Sequence, residues 1–321
     1  MGDRVRSWRH CLDAAGVQGD AACADYSAAA RYIERRHFAA WGTMRLLVPP
    51  EGQPHTFARS ALARYTDDLC DRGALAERTR RFDEWATSVV RALDTGSSGH
   101  RLLRAYLHSA NLLNLSRNWI DAFLAGIRAD LEFAGFADEA DYQGYVDTVA
   151  LPAFMFVTGA VPRVVPDECF ASSGRLVADG TQRTDFLTDL FEDLRDGRLT
   201  LPLCDLDRYG VSRADLKNGL DTPAVRELIS DTANSARASL VQGERILGEI
   251  ADDYRPMFRC LIGAFHKRLD DVGTRGVAVI RRPYYDQPTA CLRMVVRCRR
   301  AGASTDAHLS NCDGATRQRG S

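Results

Sequence analysis

Residues 185–202 read DFLTDLFEDLRDGRLTLP. Asp185, Asp189 and Asp193 recur every four residues, with Leu187, Leu190, Phe191 and Leu194 at helical spacing between them. The pattern predicts a helix with three aspartates stacked along one face. Like charges so stacked destabilise a helix by about 0.2–0.5 kcal/mol per pair. No cation follows until Arg195 and Arg198. Taken alone, the spacing is explained most plainly by a solvated acidic stripe, since acidic helix faces are common. A divalent cation held together with phosphate would need the same column of carboxylates.

A second acidic group lies upstream, at Asp67-Asp68-Leu69-Cys70-Asp71, near the end of a helical stretch that closes at Arg72-Gly73. Asp67 and Asp71 share a face, and acids at a helix C-terminus oppose the helix dipole, which prefers cations there. That placement favours a bound cation over a stabilising role. Two acidic faces that meet across a cavity could hold Mg²⁺ between carboxylates and a diphosphate.

The rest of the chain predicts further helices. They fall at 25–47, ended by Val48-Pro49-Pro50, then 55–70, 74–93, 102–115, 119–133, 139–157 with a kink at Pro152, 223–251 and 254–275. Val277–Ile280 is β-prone but too short for a sheet. The expected fold is all-α: a single-domain helical bundle over residues 25–290. Residues 1–24 form a peripheral segment and 291–321 an extension, disordered after 300 because large apolar residues are almost absent there.

Composition narrows the function classes. With 43 acidic and 42 basic residues among 321, the net charge of −1 gives no electrostatic case for nucleic acid. Nine dispersed cysteines without a CxxC pair indicate neither a disulfide framework nor a zinc site. The first residues, MGDRVRSWRH, carry no apolar signal segment, and no run is long enough to span a bilayer. The cytoplasm is the default expectation, with peripheral membrane contact left open.

The motifs resemble those of the squalene/phytoene synthase family of prenyl-diphosphate enzymes. Ala63-Arg64-Tyr65-Thr66-Asp67-Asp68-Leu69-Cys70-Asp71 matches the family's first motif apart from its cysteine. The run from Gln182 to Asp193, with Gly197-Arg198 and Leu201-Pro202, is similar to the second, and Arg45–Glu51 to its RLLPPE. The resemblance covers about residues 25–285. It implies an isoprenoid-synthase bundle with a central cavity, at whose mouth the motifs face each other and three Mg²⁺ ions bind with an allylic diphosphate. On that resemblance Asp67, Asp71, Asp189 and Asp193 are catalytic, and Asp68 and Asp185 join them as metal ligands. Arg35, Arg36, His37, Arg64, Tyr145, Gln182 and Arg282 bind substrate. Tyr145, Phe154, Met155 and Phe156 are candidate cavity lining, although for each taken singly ordinary core packing is the simpler explanation. The expected enzyme is a squalene/phytoene synthase-like prenyltransferase, monomeric or homodimeric, taking a prenyl-diphosphate donor and a small-molecule acceptor.

The departures from the pattern bear on the acceptor. Thr188 stands where the family has Arg, and Thr200 and Phe265 where it has Tyr; Asp185 replaces Asn, and Arg35-Arg36-His37 replaces a serine-flanked cation. Head-to-head coupling must handle two diphosphates, and an Arg is a multi-donor phosphate ligand where Thr is not. The first expectation is therefore prenyl transfer to an acceptor without diphosphate, a small aromatic of secondary metabolism. The alternatives are head-to-head coupling to a phytoene- or squalene-like product, cyclisation of one prenyl diphosphate, and a non-catalytic helical assembly protein. Intact acidic motifs argue against the last.

Overall fold

The computed structural model describes residues 6–285 and 293–299. The chain runs through α1 (Trp8–Ala14), α2 (Asp20–Arg36), α3 (Phe38–Leu47), α4 (Gln53–Cys70), α5 (Leu75–Thr95), α6 (Arg101–Leu112), α7 (Asn118–Leu131), α8 (Glu139–Tyr145), α9 (Leu151–Thr158), α10 (Asp167–Thr188), α11 (Leu190–Arg195), α12 (Leu203–Tyr209), α13 (Arg213–Lys217), α14 (Pro223–Gly243) and α15 (Arg255–Arg275). Residues 276–280 form a 3₁₀ turn, and 293–299 a further helical segment. The β structure among the described residues is one isolated bridge, Arg163 to Ile250. The all-α expectation holds, and no described helix is long and apolar enough to cross a membrane.

The helix expected over 223–251 ends at Gly243, and three further differences from the sequence reading bear on the site. The helix expected over 25–47 breaks at His37, whose φ of −137° and ψ of 56° leave the helical region and separate α2 from α3. The kink expected at Pro152 is a π turn over 146–150, in which the Leu151 N–H reaches the Val146 carbonyl. Pro152 then falls in the first turn of α9, where its missing N–H costs no hydrogen bond. The aspartate column does not lie on one unbroken helix. α10 ends at Thr188 and α11 begins at Leu190, with Asp189 at φ −95° and ψ 1°. The Thr188 hydroxyl donates to the Asp185 carbonyl at 3.0 Å, one of the local bonds that compete with a helical ladder. Asp189 N still donates to Asp185 O (2.8 Å) and Asp193 N to Asp189 O (2.9 Å), so the four-residue rise survives the break.

α10 is the central element, packed on α14, α15 and α9. Its apolar face carries Phe170, Val177, Phe186 and Leu187, all buried. One core cluster joins Ile33, Phe57, Met155, Phe170, Phe258 and Ile262; a second joins Trp85, Leu103, Tyr106, Phe123 and Phe156. Burying a side chain of this size contributes about 1.5–3 kcal/mol. α10 and α14 meet almost backbone to backbone: a Cβ on Gly180 would lie 2.6 Å from Leu240 Cγ and 2.8 Å from the Ala236 carbonyl. Arg59 ends α9: its Nε donates to the Phe156 carbonyl, and its guanidinium lies 4.9 Å from that ring's centroid. Lys and Arg side chains near a helix C-terminus satisfy orphan carbonyls in this way.

The ends of the chain join this framework. Leu12 and Val17, from the segment expected to be peripheral, are buried with Tyr26, Ala58 and Ala105. Val295, from the expected C-terminal extension, is buried with Leu47 and Cys260. The expectation for residues beyond 300 lies outside the described residues.

Candidate active site

The last turn of α4 presents Asp67 and Asp68, and Asp71 caps it. Gly73, at φ 104°, takes the left-handed turn that carries the chain away. Asp68 accepts hydrogen bonds from the Tyr32 hydroxyl and from Arg36 Nη1, the latter at 2.8 Å. Arg64 stands 3.7 Å from Asp67. The break at His37 thus aims the Arg36–His37 turn at the first acidic motif. Burial holds the His37 imidazole below its usual range, with the Arg64 charge acting in the same direction, and its Nε2 is buried without a partner.

The carboxylates of this motif are incompletely neutralised. Burial pushes the Asp67 carboxyl up to about 6; Arg64 opposes the shift, and Asp71, Asp68 and Asp130 reinforce it. Asp71 is raised by burial and by Asp68. The second motif behaves alike. Asp193 rises to about 6 through burial, with Arg198 opposing and Asp189 and Asp130 adding to it. Asp185 pairs with Arg268 of α15 at 2.8 Å.

Asp130, in the last turn of α7, links the two motifs. It accepts from Tyr145 Oη (2.8 Å) and from Arg198 Nη2 (2.6 Å). Its charge raises Asp67 and Cys70 on α4 and also Asp193 on α11, so one carboxylate is felt by both acidic motifs. Sequence reading missed Asp130. The available signal was an acid placed against the dipole at a helix C-terminus, the argument already applied to Asp67–Asp71. Tyr32 and Arg268 were missed as well, since nothing local to either residue points across the bundle. Burial, and then Asp130, drives the Tyr145 phenol well above its ordinary value, so it donates its proton and keeps it.

A sequence model of the squalene/phytoene synthase family matches residues 36–289. The chain belongs to the squalene/phytoene synthase family. It is 27% identical over 270 residues to the 15-cis-phytoene synthase of Synechocystis, covering 80% of this chain and 79% of that one. It is 26% identical over 276 residues to the bifunctional protein CrtB/UppS of Streptomyces coelicolor, covering 84% of this chain. That relative is longer, and the chain spans about half of it (48%). In structure it is similar to the squalene synthase HpnC of Alicyclobacillus acidocaldarius, at a TM-score of 0.73 and 21% identity, over 84% of this chain and all of the other. The expected squalene/phytoene synthase-like enzyme class and the isoprenoid-synthase fold both stand.

Within this family frame the remaining residues can be placed. Gln182, half-buried on α10, lies three residues before Asp185 and so shares its face. Arg35 is exposed in the last turn of α2 beside Arg36. Arg282 is exposed; its carbonyl accepts from Arg275, and among the described residues no contact joins it to either acidic motif. Met155 and Phe156 are fully buried, and Phe156 stacks on Phe123 at 4.9 Å, the ordinary core role. Phe154 packs between Phe170 and Phe258. Tyr145 belongs to a ring cluster with Phe133, Phe136 and Phe186 directly behind Asp130. Two surface clefts, one between α8, α10, α12 and α14 and one between α14 and α15, include none of the six motif aspartates.

Among the described residues no three His, Cys, Asp or Glu side chains are already gathered as a metal-binding group. The donor set nonetheless fits a hard divalent cation. All six carboxylates offer oxygen, which Mg²⁺ prefers, and Mg²⁺ commonly takes one or two carboxylates with water and phosphate oxygens completing the shell. Asp67 and Asp193 are raised chiefly by burial, with neighbouring acids adding to the shift, and a cation bound beside them would favour their ionised forms.

Proposed function

We propose that this chain is a Mg²⁺-dependent prenyltransferase that couples two prenyl diphosphates head to head, giving a phytoene- or squalene-like product through a cyclopropyl intermediate. The observation that carries the reading is Asp130: one carboxylate that accepts from Arg198 in the tail of the second motif and whose charge acts on Asp67 of the first and Asp193 of the second. The names of the relatives, a phytoene synthase and a squalene synthase, support the same chemistry.

Asp67, Asp68 and Asp71 on one side, and Asp185, Asp189 and Asp193 on the other, would hold magnesium. Bound there with diphosphate, magnesium supplies charge to stabilise the departing group when the allylic C–O bond breaks. Arg36, His37 and Arg64 supply donors beside the first motif, and the buried, unpartnered His37 Nε2 suits an anionic oxygen. Arg35 adds positive charge at the entrance, and Gln182 an amide one turn below Asp185. The carbocation must be kept from water. The rings of Phe133, Phe136, Tyr145 and Phe186 provide an apolar, electron-rich surface beside Asp130. Tyr145, held neutral, positions Asp130 without adding charge of its own.

Thr188, Thr200 and Phe265 suggested an acceptor without diphosphate, and that reading is the less supported one. The Thr188 hydroxyl is engaged with its own helix, Thr200 is buried, Arg198 keeps one guanidinium in the tail of the second motif, and Arg268 brings another from α15. The loss of an arginine within the motif therefore leaves it with cations.

The test uses purified protein, Mg²⁺ and farnesyl or geranylgeranyl diphosphate with no other acceptor. A C30 or C40 hydrocarbon, or its cyclopropyl diphosphate precursor, supports coupling. Diphosphate release only on addition of an aromatic acceptor overturns it in favour of transfer to that acceptor, and a cyclic monomeric product favours cyclisation.

A further inference from the structure

Ser60 lies on α4, on the stripe that ends in the first acidic motif. Four, seven and eleven residues on from it stand Arg64, Asp67 and Asp71, all on one face of the helix. The stripe descends from solvent into the protein: Asp71 and Arg64 are exposed, Asp67 is half-buried, and Ser60 is 4% exposed. A serine or threonine inside a helix and away from solvent commonly turns its hydroxyl back to the carbonyl four residues earlier. Both threonines of α4 do so, Thr56 to Gly52 and Thr66 to Leu62, each at 2.9 Å. The Ser60 hydroxyl does not, and it is buried without a hydrogen-bond partner. A desolvated, unpaired hydroxyl destabilises the folded chain, so stability gives no reason for it.

The reaction gives one. A diphosphate held at the first motif occupies the outer end of this stripe, and its apolar prenyl chain runs inward, away from water. Arg64 lies one helical turn outward from Ser60, about 6 Å along the axis, and Asp67 two turns outward, about 10 Å. Ser60 therefore stands at the depth where diphosphate gives way to prenyl chain, which is the level of the ester oxygen. We propose that Ser60 is a catalytic residue that donates a hydrogen bond to the ester oxygen of a prenyl diphosphate as the allylic C–O bond breaks. In that step both bonding electrons pass to the ester oxygen and leave with the diphosphate, and the prenyl cation is left to bond to the double bond of the second substrate. The hydroxyl keeps its proton. Its hydrogen bond strengthens as negative charge grows on the oxygen, so it favours the transition state over the bound substrate. The inference rests on the Mg²⁺–diphosphate reading given above.

Steady-state turnover of farnesyl or geranylgeranyl diphosphate by the full chain with Mg²⁺, paired with thermal unfolding of the metal-free protein, tests it. Ser60→Ala should lower kcat about tenfold to a hundredfold at nearly unchanged KM, the mark of an interaction made in the transition state. The same variant should unfold about 1–3 °C higher, because an unpaired buried hydroxyl has been removed. A purely structural role does not move the two readings in opposite directions. Ser60→Cys fills the same place with a weak donor and should match the alanine variant in kcat. Wild-type kcat in Ser60→Ala overturns the inference while leaving the Mg²⁺–diphosphate reading in place. Wild-type kcat in Ser60→Cys alone makes the residue a matter of packing and also overturns it. A lower unfolding temperature for Ser60→Ala marks a structural partner for the hydroxyl and overturns it as well. Failure of wild type to release diphosphate from either substrate overturns the functional reading, and this inference with it.

Discussion

Arg198 reaches Asp130 across 68 residues of sequence, with Nη2 donating to Oδ1 at 2.6 Å. The contact ties the Gly197-Arg198 tail of the second acidic motif to the end of α7, whose charge is also felt by Asp67. Replacing Asp130 by Asn keeps a hydrogen-bond acceptor for Tyr145 and removes the charge that holds Arg198. Turnover should fall by a factor of about ten to a thousand, the range in which one displaced electrostatic group acts. Mg²⁺-dependent binding of pyrophosphate should weaken in parallel. Wild-type turnover in Asp130→Asn would make the bridge purely structural.

Alanine at Asp67, Asp71, Asp189 or Asp193 should each lower turnover at least a hundredfold without unfolding the protein. The accompanying stability change has a worked sign. The folded carboxyls of Asp67 and Asp193 sit near 6, above the ordinary 3.8, so the folded state is penalised for holding their charge once the pH rises through that range. In metal-free protein, Asp67→Asn or Asp193→Asn should therefore raise the unfolding temperature by about 1–3 °C at pH 8 and leave it unchanged near pH 3. A lower unfolding temperature at pH 8 would refute the penalty assigned to these buried charges.

His55 supplies an acid limb of the stability curve. Burial pushes its imidazole down to about 4, aided by His108 and Arg59 and opposed by a bond to the Ala15 carbonyl. Its Nδ1 lies 2.9 Å from Ser109 Oγ. The unfolded chain takes up this proton near 6.5 and the folded chain only near 4. The stabilisation is therefore complete above pH 6.5 and drains away as the pH falls to 4, by on the order of 3 kcal/mol. Denaturant titrations across that window should show the slope, and His55→Gln should flatten it.

Cys298 should be the most reactive of the described thiols. Contact with Cys260 brings its thiol down to about 7, burial opposes, and Arg297 and Arg259 assist. Cys70 is pushed up to about 12 by burial and by Asp67 and Asp71. Since the thiolate is the nucleophile, iodoacetamide at pH 7 should modify Cys298 before the more exposed Cys169 and Cys204, with Cys70 inert on the same timescale. Peptide mass spectrometry over the time course reads the order directly, and Cys204 leading would refute it.

Helix type and most helix positions were legible because 3.6-residue apolar spacing, Pro49-Pro50 and Pro223 act locally. The two acidic motifs were legible for the same reason: repeated carboxylates on one helix face carry a cost visible without the fold. What escaped were residues whose meaning lies in a partner far along the chain. Asp130 has no motif around it, and Arg268 reads as one more charge on an amphipathic helix. The break at His37 escaped too, since Arg-Arg-His-Phe contains no breaker and the turn is fixed by what Arg36 meets on α4. The inference from Thr188 to a different acceptor failed for a related reason. It weighed the one arginine lost from the motif, whereas Arg198 remains in the motif's tail and the fold adds a guanidinium from α15.

Gly180 makes the alignment of the site a matter of manufacturing tolerance. The glycine sits five residues below Asp185, about 8 Å along the helix axis, at a point where α14 leaves no room for a methyl group. The helix that carries Gln182 and Asp185 is thus gauged against Leu240 and Ala236, residues with no part in the chemistry. A shift of a few tenths of an ångström there is transmitted along a stiff rod to the first carboxylate of the column. Drift in catalytic output would then originate in wear on an apolar seam, and the proposed metal site would depend on side chains of α14 that it never touches.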